Sequence, residues 1–269
     1  MDLHTVTEYT VARSRADLTW GPGTAFVGGG TWLFSEPQPH LRRLVDLSAL
    51  GWPAAAVDDT GLEIAATCTV EELSALSGTE TWTAAPLFRQ CADALLASWK
   101  IWKRATVGGN ICLSLPAGAM ISLAVALEAD AVIWSREGGE KRVPVQAFVT
   151  GAGDNILRDG DILRSITIAR RLLDSRTAMR KISLSPLGRS GAVVIGRCDD
   201  DGGFTLSITA ATSRPYVSRF PGVPSSEGLD AALASQVPAD AYYADVHGTP
   251  QWRRAVTRVL AQEVREELS

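Results

Sequence analysis

The sequence is poor in the residues from which metal sites and covalent crosslinks are built. Its 269 residues include only four cysteines and three histidines, and no two cysteines form a Cys-x-x-Cys pair. Cysteines scattered in this way exclude a local zinc or iron–sulfur site and do not indicate a disulfide framework. The histidines stand apart from any nucleophile and carboxylate in a recognised order, so hydrolase chemistry is poorly supported.

Long apolar runs and basic blocks are missing as well. No stretch of about 18 apolar residues occurs, so the sequence predicts no membrane-spanning helix. The 26 basic residues are outnumbered by 30 acidic ones, for a net charge of −4. This balance argues against nucleic acid or an anionic membrane as the main partner. The N-terminal residues lack the basic-then-apolar plan of a signal peptide, and we therefore expect a cytoplasmic protein.

Short β-rich runs alternate with helical patterns over the first two thirds of the chain. A strand, a helix and further strands between residues 5 and 47 predict a small α/β unit with parallel pairing. Thr69 and Glu72 form a capping-box pattern that opens a helix. The apolar spacing predicts one long helix over Pro86–Arg104 and a second, almost wholly apolar helix after Pro116.

The pattern changes beyond Leu173–Arg180, an arginine-rich stretch that is our candidate domain boundary. Two strands, Ala192–Gly196 and Phe204–Ala210, predict an antiparallel hairpin. We interpret the carboxylates of the turn between them, Asp199–Asp201, as solvated. A final helix is predicted over Pro250–Leu268.

Two glycine-rich segments, Val27–Thr31 and Thr106–Asn110, carry the strongest functional signal. Consecutive glycines reach positive φ and let several amide groups converge on one anion, chiefly a phosphate. Neither segment is a Walker or a GxGxxG motif. Ordinary turns give the same pattern, so the residues alone leave open two turns or a phosphate or nucleotide site.

The pair GGGTWLF and TVGGNICLSLP resembles the FAD-binding subunit of the molybdenum hydroxylases, the flavoprotein subunits of xanthine dehydrogenase and carbon monoxide dehydrogenase. Other segments are similar to the same family. They are LVDLSAL, TCTVEEL, FVTGAGDNILRDGDILRSITI and DVHGTPQWRRAVTRVL. The resemblance therefore covers nearly the whole chain.

The resemblance implies an α+β protein with a two-subdomain FAD-binding fold of the vanillyl-alcohol-oxidase (PCMH) type. A smaller α+β C-terminal domain with an antiparallel sheet and helices would follow. The FAD-binding domain would span residues 1–171, in subdomains of about 1–55 and 56–171, and the C-terminal flavoprotein domain residues 175–269.

Non-covalently bound FAD is the cofactor that the resemblance implies. Leu163 matches a position that packs near the flavin ring. Lys181 matches a lysine close to the isoalloxazine, where a cation would stabilise the reduced flavin, although a solvated surface lysine fits the sequence equally well. No catalytic acid or base and no metal ligand are expected. The expected FAD-binding residues are Val27, Gly28, Gly29, Gly30, Thr31, Trp32, Leu33, Thr106, Val107, Gly108, Gly109, Asn110, Leu163 and Lys181.

The chain departs from the family pattern in two places. Ala119 stands where the family usually has an aspartate that binds the ribose, three residues after Pro116. Loss of such a charge-assisted hydrogen bond costs about 1.5–3 kcal/mol, which weakens the expected ribose contact but not the diphosphate site. Ser185 and Pro186 occupy a segment where the family tends to have arginine.

The function implied is that of an electron-transfer subunit. FAD on this chain would pass electrons from a [2Fe–2S] small subunit to an acceptor such as NAD, a quinone or oxygen. The molybdenum cofactor would sit on a molybdopterin-binding large subunit and the [2Fe–2S] clusters on the small one. Two alternatives stay open: a scaffold subunit with weak or no FAD binding, motivated by Ala119, and a stand-alone flavin oxidase with a covalent flavin. No histidine lies near either glycine segment to anchor one.

Overall fold

A small parallel sheet opens the fold, as the sequence predicts. The computed structural model describes residues 3–269, apart from the side chain of Thr79. Met1 and Asp2, with which the expected FAD-binding domain begins, lie outside the described residues. The strands are β1 (Glu8–Val11), β2 (Thr24–Val27) and β3 (Arg43–Asp46), paired in parallel in the order β1-β3-β2.

The second sheet is antiparallel and has the strand order β4-β5-β10-β6-β7. Its strands have apolar residues on the side that the helices cover, and a two-stranded ribbon of β8 and β9 adjoins it. The strands are β4 (Ala55–Asp58), β5 (Gly61–Ala65), β6 (Asp130–Trp134), β7 (Glu140–Pro144), β8 (Val149–Gly151), β9 (Asp154–Asn155) and β10 (Ile162–Ala169).

Helices connect these strands and build the main hydrophobic core with them. The predicted capping box is present, because Glu72 accepts the amide of Thr69 at 2.8 Å and Thr69 accepts that of Glu72 at 3.2 Å. Every residue of the apolar helix is buried, as predicted. The helices are α1 (Val70–Thr79), α2 (Ala85–Ala94), α3 (Trp99–Trp102), α4 (Val107–Leu113), α5 (Ala119–Ala126), α6 (Val145–Phe148) and α7 (Arg170–Leu173).

The long helix predicted over Pro86–Arg104 is wrong, because the chain leaves the helix between α2 and α3. Leu95 and Ser98 adopt extended backbone angles there. Leu95 still packs against the core, whereas Trp99, predicted on the same apolar stripe, is 64% exposed. The break changes the direction of the chain, so the apolar spacing no longer keeps one face toward the core.

The third sheet is an antiparallel meander in the order β11-β12-β13-β14. The predicted hairpin is confirmed as β12 and β13, and the final helix has the predicted bounds. Val193 and Ile195 point into the main core, while Ala192 and Val194 pack beneath the last helix in a second core. The elements are β11 (Arg176–Ile182), β12 (Ala192–Cys198), β13 (Phe204–Thr209), β14 (Tyr216–Phe220), α8 (Ser226–Gln236) and α9 (Pro250–Leu268).

Arg197 joins the third sheet to the helices that precede it. Its side chain is 2% exposed, and its Nη1 donates to the carbonyl of Ala126, at the end of α5, at 2.6 Å. Its Nε and Nη2 donate to the two carboxylate oxygens of Asp199 at 2.6 and 2.9 Å, and Ser175 donates to the same group at 2.7 Å. The solvated turn predicted for this region is therefore wrong at Asp199, which is the counter-ion of a buried guanidinium.

A second buried arginine explains the DVHG segment and the helix that follows it. Arg253 is 1% exposed, and its Nη1 donates to the carbonyls of Gly191 and Ala210 at 2.5 and 2.6 Å. Its Nη2 pairs with Asp245. A Cβ on Gly191 would lie 2.4 Å from the ring of Trp252, so glycine is required there. These residues hold the start of α9 against the ends of two strands.

Within residues 3–269, no helix combines the length and apolar character that crossing a bilayer requires. Over the same residues, no group of three or more His, Cys, Asp or Glu side chains is arranged to hold a metal ion.

We expect the substitution Arg197→Met to lower the free energy of unfolding by about 3–5 kcal/mol, because the largely buried Asp199 carboxylate loses both of its hydrogen bonds from the guanidinium. Arg142→Met is the control: Arg142 pairs with Glu140 at 3.5 Å, their side chains are 59% and 44% exposed, and an exposed pair contributes about 0–1 kcal/mol. Urea unfolding followed by circular dichroism measures both. Equal losses would contradict a special role for Arg197.

The same ion pair predicts a pH dependence. Burial by itself would raise the pKa of Asp199, but the hydrogen bonds from Arg197 and Ser175 hold this pKa below its ordinary value of 3.8. A carboxyl whose pKa is lowered by folding stabilises the folded state above its unfolded pKa and loses that contribution as the pH falls. The difference in unfolding free energy between the wild type and Asp199→Asn should therefore shrink below pH 3.8. A difference that stays constant down to pH 2 would count against this assignment.

Candidate functional site

A cleft of about 630 Å³ opens where the first sheet meets the helices. It lies at the carboxyl ends of β2 and β3, the edge at which parallel sheets commonly bind ligands. One wall is formed by the glycine segment after β2 and by Asp46 at the end of β3. Residues around the start of α1 and between α3 and α4 complete the lining, namely Thr67, Thr69, Glu72, Lys103, Arg104 and Thr106.

The first glycine segment presents free amide groups to this cleft. No hydrogen bond within residues 3–269 uses the backbone N–H groups of Gly28, Gly29, Gly30 or Thr31. Gly30 has a φ of +70°, and the amide of Phe34 closes a turn onto its carbonyl at 2.9 Å. Successive unpaired amides around a left-handed glycine form a concavity that binds anions. The geometry is that expected of a phosphate site.

The two glycine-rich segments touch each other. A Cβ on Gly29 would lie 1.5 Å from the carbonyl oxygen of Arg104, and one on Gly28 would lie 2.8 Å from Oγ1 of Thr106. Neither distance leaves room for a side chain at Gly28 or Gly29 without displacing its neighbour. The structure therefore brings the start of the second segment against the middle of the first.

The second segment differs from the expected loop of free amides. It is the first turn of α4, with Thr106 as its N-cap. The amides of Val107 and Gly108 donate to the carbonyls of Cys68 and Ala66 at 2.8 and 2.9 Å, and the amide of Gly109 donates to Oγ1 of Thr106 at 3.0 Å. These amides are already paired within the protein, and their contact with a phosphate stays a prediction. Of this segment, only Thr106 lines the cleft.

The other expected site residues are distributed around the cleft and away from it. Val27 and Thr31 line the cleft, while Leu33 packs in the small core beside the first sheet. Trp32 is 36% exposed and lies outside the cleft lining. Asn110 accepts the amide of Met120 at 2.9 Å, which ties α4 to α5.

Leu163 and Lys181 do not reach the cleft. Leu163 is 3% exposed in β10, opposite Ile133 within the main core. Lys181 is exposed on β11, two residues from Met179, whose side chain packs against the main core. Their expected contacts with the flavin stay predictions. Ala119, at the departure from the family pattern, is 2% exposed in the first turn of α5.

Asp46 and Tyr9 are cleft residues that the sequence analysis missed. Tyr9 donates its hydroxyl to the Asp46 carboxylate, which also accepts the amide of Ser48 at 2.8 Å. Burial alone would raise the pKa of Asp46, but these hydrogen bonds hold it below its ordinary value, and the bond to Asp46 raises the pKa of Tyr9. The position of Asp46 at the carboxyl end of a predicted parallel strand was the available signal.

Lys103 and Arg104 were missed because the predicted long helix concealed them. Both side chains are exposed and line the cleft. Trp52 lines it from another side, and the guanidinium of Arg164 stacks on its ring at 4.4 Å. The cleft thus combines amide donors, two cations, carboxylates and an aromatic ring, which suits a ligand that contains phosphate, sugar and aromatic groups.

The fold is similar to that of three solved oxidoreductases. Carbon monoxide dehydrogenase from Hydrogenophaga pseudoflava, in a form lacking the Mo-pyranopterin moiety of the molybdenum cofactor, matches with a TM-score of 0.81 and 18% identity over 98% of this chain and 97% of that one. Reconstituted CO dehydrogenase from Oligotropha carboxidovorans matches at 0.80 and 21% identity over 97% and 96%. Quinoline 2-oxidoreductase from Pseudomonas putida 86 matches at 0.78 and 16% identity over 97% and 96%. These matches confirm the predicted α+β fold.

No curated protein sequence matches the chain significantly. The family model for the FAD binding domain in molybdopterin dehydrogenase matches residues 4–170, in which both glycine-rich segments and the whole cleft lie. Because this match covers more than half of the 269 residues, the protein belongs to the family of molybdopterin dehydrogenase FAD-binding domains.

Proposed function

We propose that this chain is the electron-transfer subunit of a molybdenum hydroxylase. It takes electrons from a [2Fe–2S] subunit and gives them, through FAD, to an acceptor such as NAD, a quinone or oxygen. The observation that carries the proposal is the set of unpaired amides of Gly28–Thr31 at the edge of a cleft, inside a chain of this family.

The residues of the cleft fit an FAD molecule. The volume of the cleft, about 630 Å³, lies within the range of about 300–1,000 Å³ that is usual for ligand and cofactor sites. The amides of Gly28–Thr31 would bind the diphosphate, and the hydroxyl of Thr106 would lie beside it. FAD supplies the redox chemistry when bound, and the protein supplies binding, orientation and electrostatics. No side chain needs to act as a general acid or base.

The partners proposed are a molybdopterin-binding large subunit and a [2Fe–2S] small subunit. The molybdenum cofactor and the clusters would be held by those chains. Support comes from the family and from the similarity to carbon monoxide dehydrogenase, an enzyme that has a molybdenum cofactor. We further propose a cytoplasmic location and a division into an FAD-binding domain, residues 1–171, and a C-terminal domain, residues 175–269.

A scaffold subunit that binds FAD weakly is the second candidate. The amides of Val107, Gly108 and Gly109 are paired within the protein, which favours this candidate because one of the two expected amide sources would then serve no ligand. Ala119 also lacks the carboxylate that the family usually places there. Both observations remove ligand contacts without affecting the fold.

The two candidates are separated by flavin content. The purified full-length chain is expected to show flavin absorbance, or to gain it on incubation with FAD and gel filtration, with one FAD per chain. Acid precipitation should release all of the flavin, because the cofactor is expected to be non-covalent. A colourless protein that takes up no added FAD would favour the scaffold function, and flavin retained in the pellet would favour a covalent flavin oxidase.

Gly28→Ala is expected to weaken FAD binding about tenfold, equivalent to about 1.4 kcal/mol. The new Cβ would lie 2.8 Å from Oγ1 of Thr106 and would displace a hydroxyl that both lines the cleft and caps α4. Gly78→Ala is the matched control, since a Cβ there meets nothing within 4 Å. Fluorescence titration with FAD measures both affinities, and thermal unfolding checks the fold. Equal affinities in two folded variants would contradict the placement of the diphosphate.

A further inference from the structure

Lys103 and Arg104 line the cleft but are poorly engaged within the protein. Nζ of Lys103 lies 3.8 Å from the carboxylate of Glu71, and the side chains of Lys103 and Glu71 are 52% and 54% exposed. The ring of Trp99 lies 5.2 Å from the same ammonium group. The guanidinium of Arg104 makes no hydrogen bond or ion pair with any residue in the described chain, 3–269. Two cations are therefore available to a ligand.

The backbone fixes these cations beside the free amides. The carbonyl oxygen of Arg104 occupies the place that a Cβ of Gly29 would take, so the two backbones are in direct contact. The amide of Arg104 donates to Ile101 at 2.9 Å, which anchors the residue to α3. Both Lys103 and Arg104 line the same cleft as Gly28–Thr31.

The cleft also contains negative charges, which the two cations would offset for an anionic ligand. Asp46 and Glu72 line the cleft as well, and the pKa of Asp46 is held below its ordinary value, so this carboxylate is ionised at neutral pH. Backbone amides already form charge-assisted hydrogen bonds with a phosphate, but they carry only partial positive charge, whereas an ammonium or guanidinium group brings a full positive charge to the same bond. Full positive charges would therefore strengthen the binding of a diphosphate that lies near two carboxylates.

We propose that Lys103 and Arg104 bind the diphosphate of a dinucleotide together with the amides of Gly28–Thr31. This inference rests on the proposed function, since it assigns the anionic part of the cofactor to one wall of the cleft. Arg104, which is fixed next to Gly29, makes the direct contact, and Lys103 leaves Glu71 to join it. The affinity for the dinucleotide then depends on ionic strength.

The test compares full-length wild type with Lys103→Ala, Arg104→Ala, Arg104→Lys and the control Lys100→Ala. Lys100 is a neighbouring cation that stacks on Trp99 at 5.8 Å and does not line the cleft. The dissociation constants of FAD and of ADP, which carries a diphosphate without a flavin, are measured by calorimetry from 20 to 300 mM salt. Circular dichroism and thermal unfolding establish that each variant is folded.

Arg104→Ala should raise both dissociation constants about tenfold or more at low salt and reduce their dependence on salt, and Lys103→Ala should do so to a smaller extent. Arg104→Lys should restore part of the affinity, and Lys100→Ala should behave as wild type. Wild-type affinities and salt dependence in both alanine variants, with FAD still bound, would overturn the cation assignment alone. Salt-dependent ADP binding without FAD binding would support the assignment and overturn the proposed function, and binding of neither probe would overturn both.

Discussion

The candidate site depends on one close contact between two backbones. Gly29 and the carbonyl of Arg104 approach so closely that no side chain fits between them. This contact brings the unpaired amides after β2, the hydroxyl of Thr106 and two cations to one cleft, although about 75 residues separate them in the chain. At Gly29 and Gly108 the glycine is needed for packing against Arg104 and Ala66, and the ligand benefits from the result.

Two buried arginines connect the third sheet to the neighbouring parts of the chain. Arg197 donates to the carbonyl of Ala126 and to both carboxylate oxygens of Asp199. Arg253 donates to the carbonyls of Gly191 and Ala210 and pairs with Asp245. A buried guanidinium is costly unless its donors are satisfied, and both arginines find partners on more than one segment of the chain. The DVHG segment of the family resemblance is explained in this way as a structural feature.

Local signals predicted much of the fold, and distant contacts account for what they missed. The capping box at Thr69 and the helix over Pro250–Leu268 were predictable because their determinants are within a few residues. The end of α2 was not, since neither glycine nor proline lies between Leu95 and Ser98. In the site, the glycines of the first segment were recognisable from the sequence. The second segment was harder to interpret, because its amides donate to the carbonyls of Ala66 and Cys68, about 40 residues earlier in the chain. Lys103 and Arg104 were missed because the sequence analysis placed both of them at the end of one long helix.

Thr106 lies at one end of a series of contacts that leads from the cleft to the third sheet. It caps α4, Asn110 of that helix accepts the amide of Met120, and the far end of α5 is held by Arg197 of the third sheet. Through these three hydrogen bonds, α4 and α5 connect the wall of the cleft to the third sheet. Displacement of the Thr106 hydroxyl would remove the N-cap of α4, the first of the two helices that join the wall of the cleft to the third sheet.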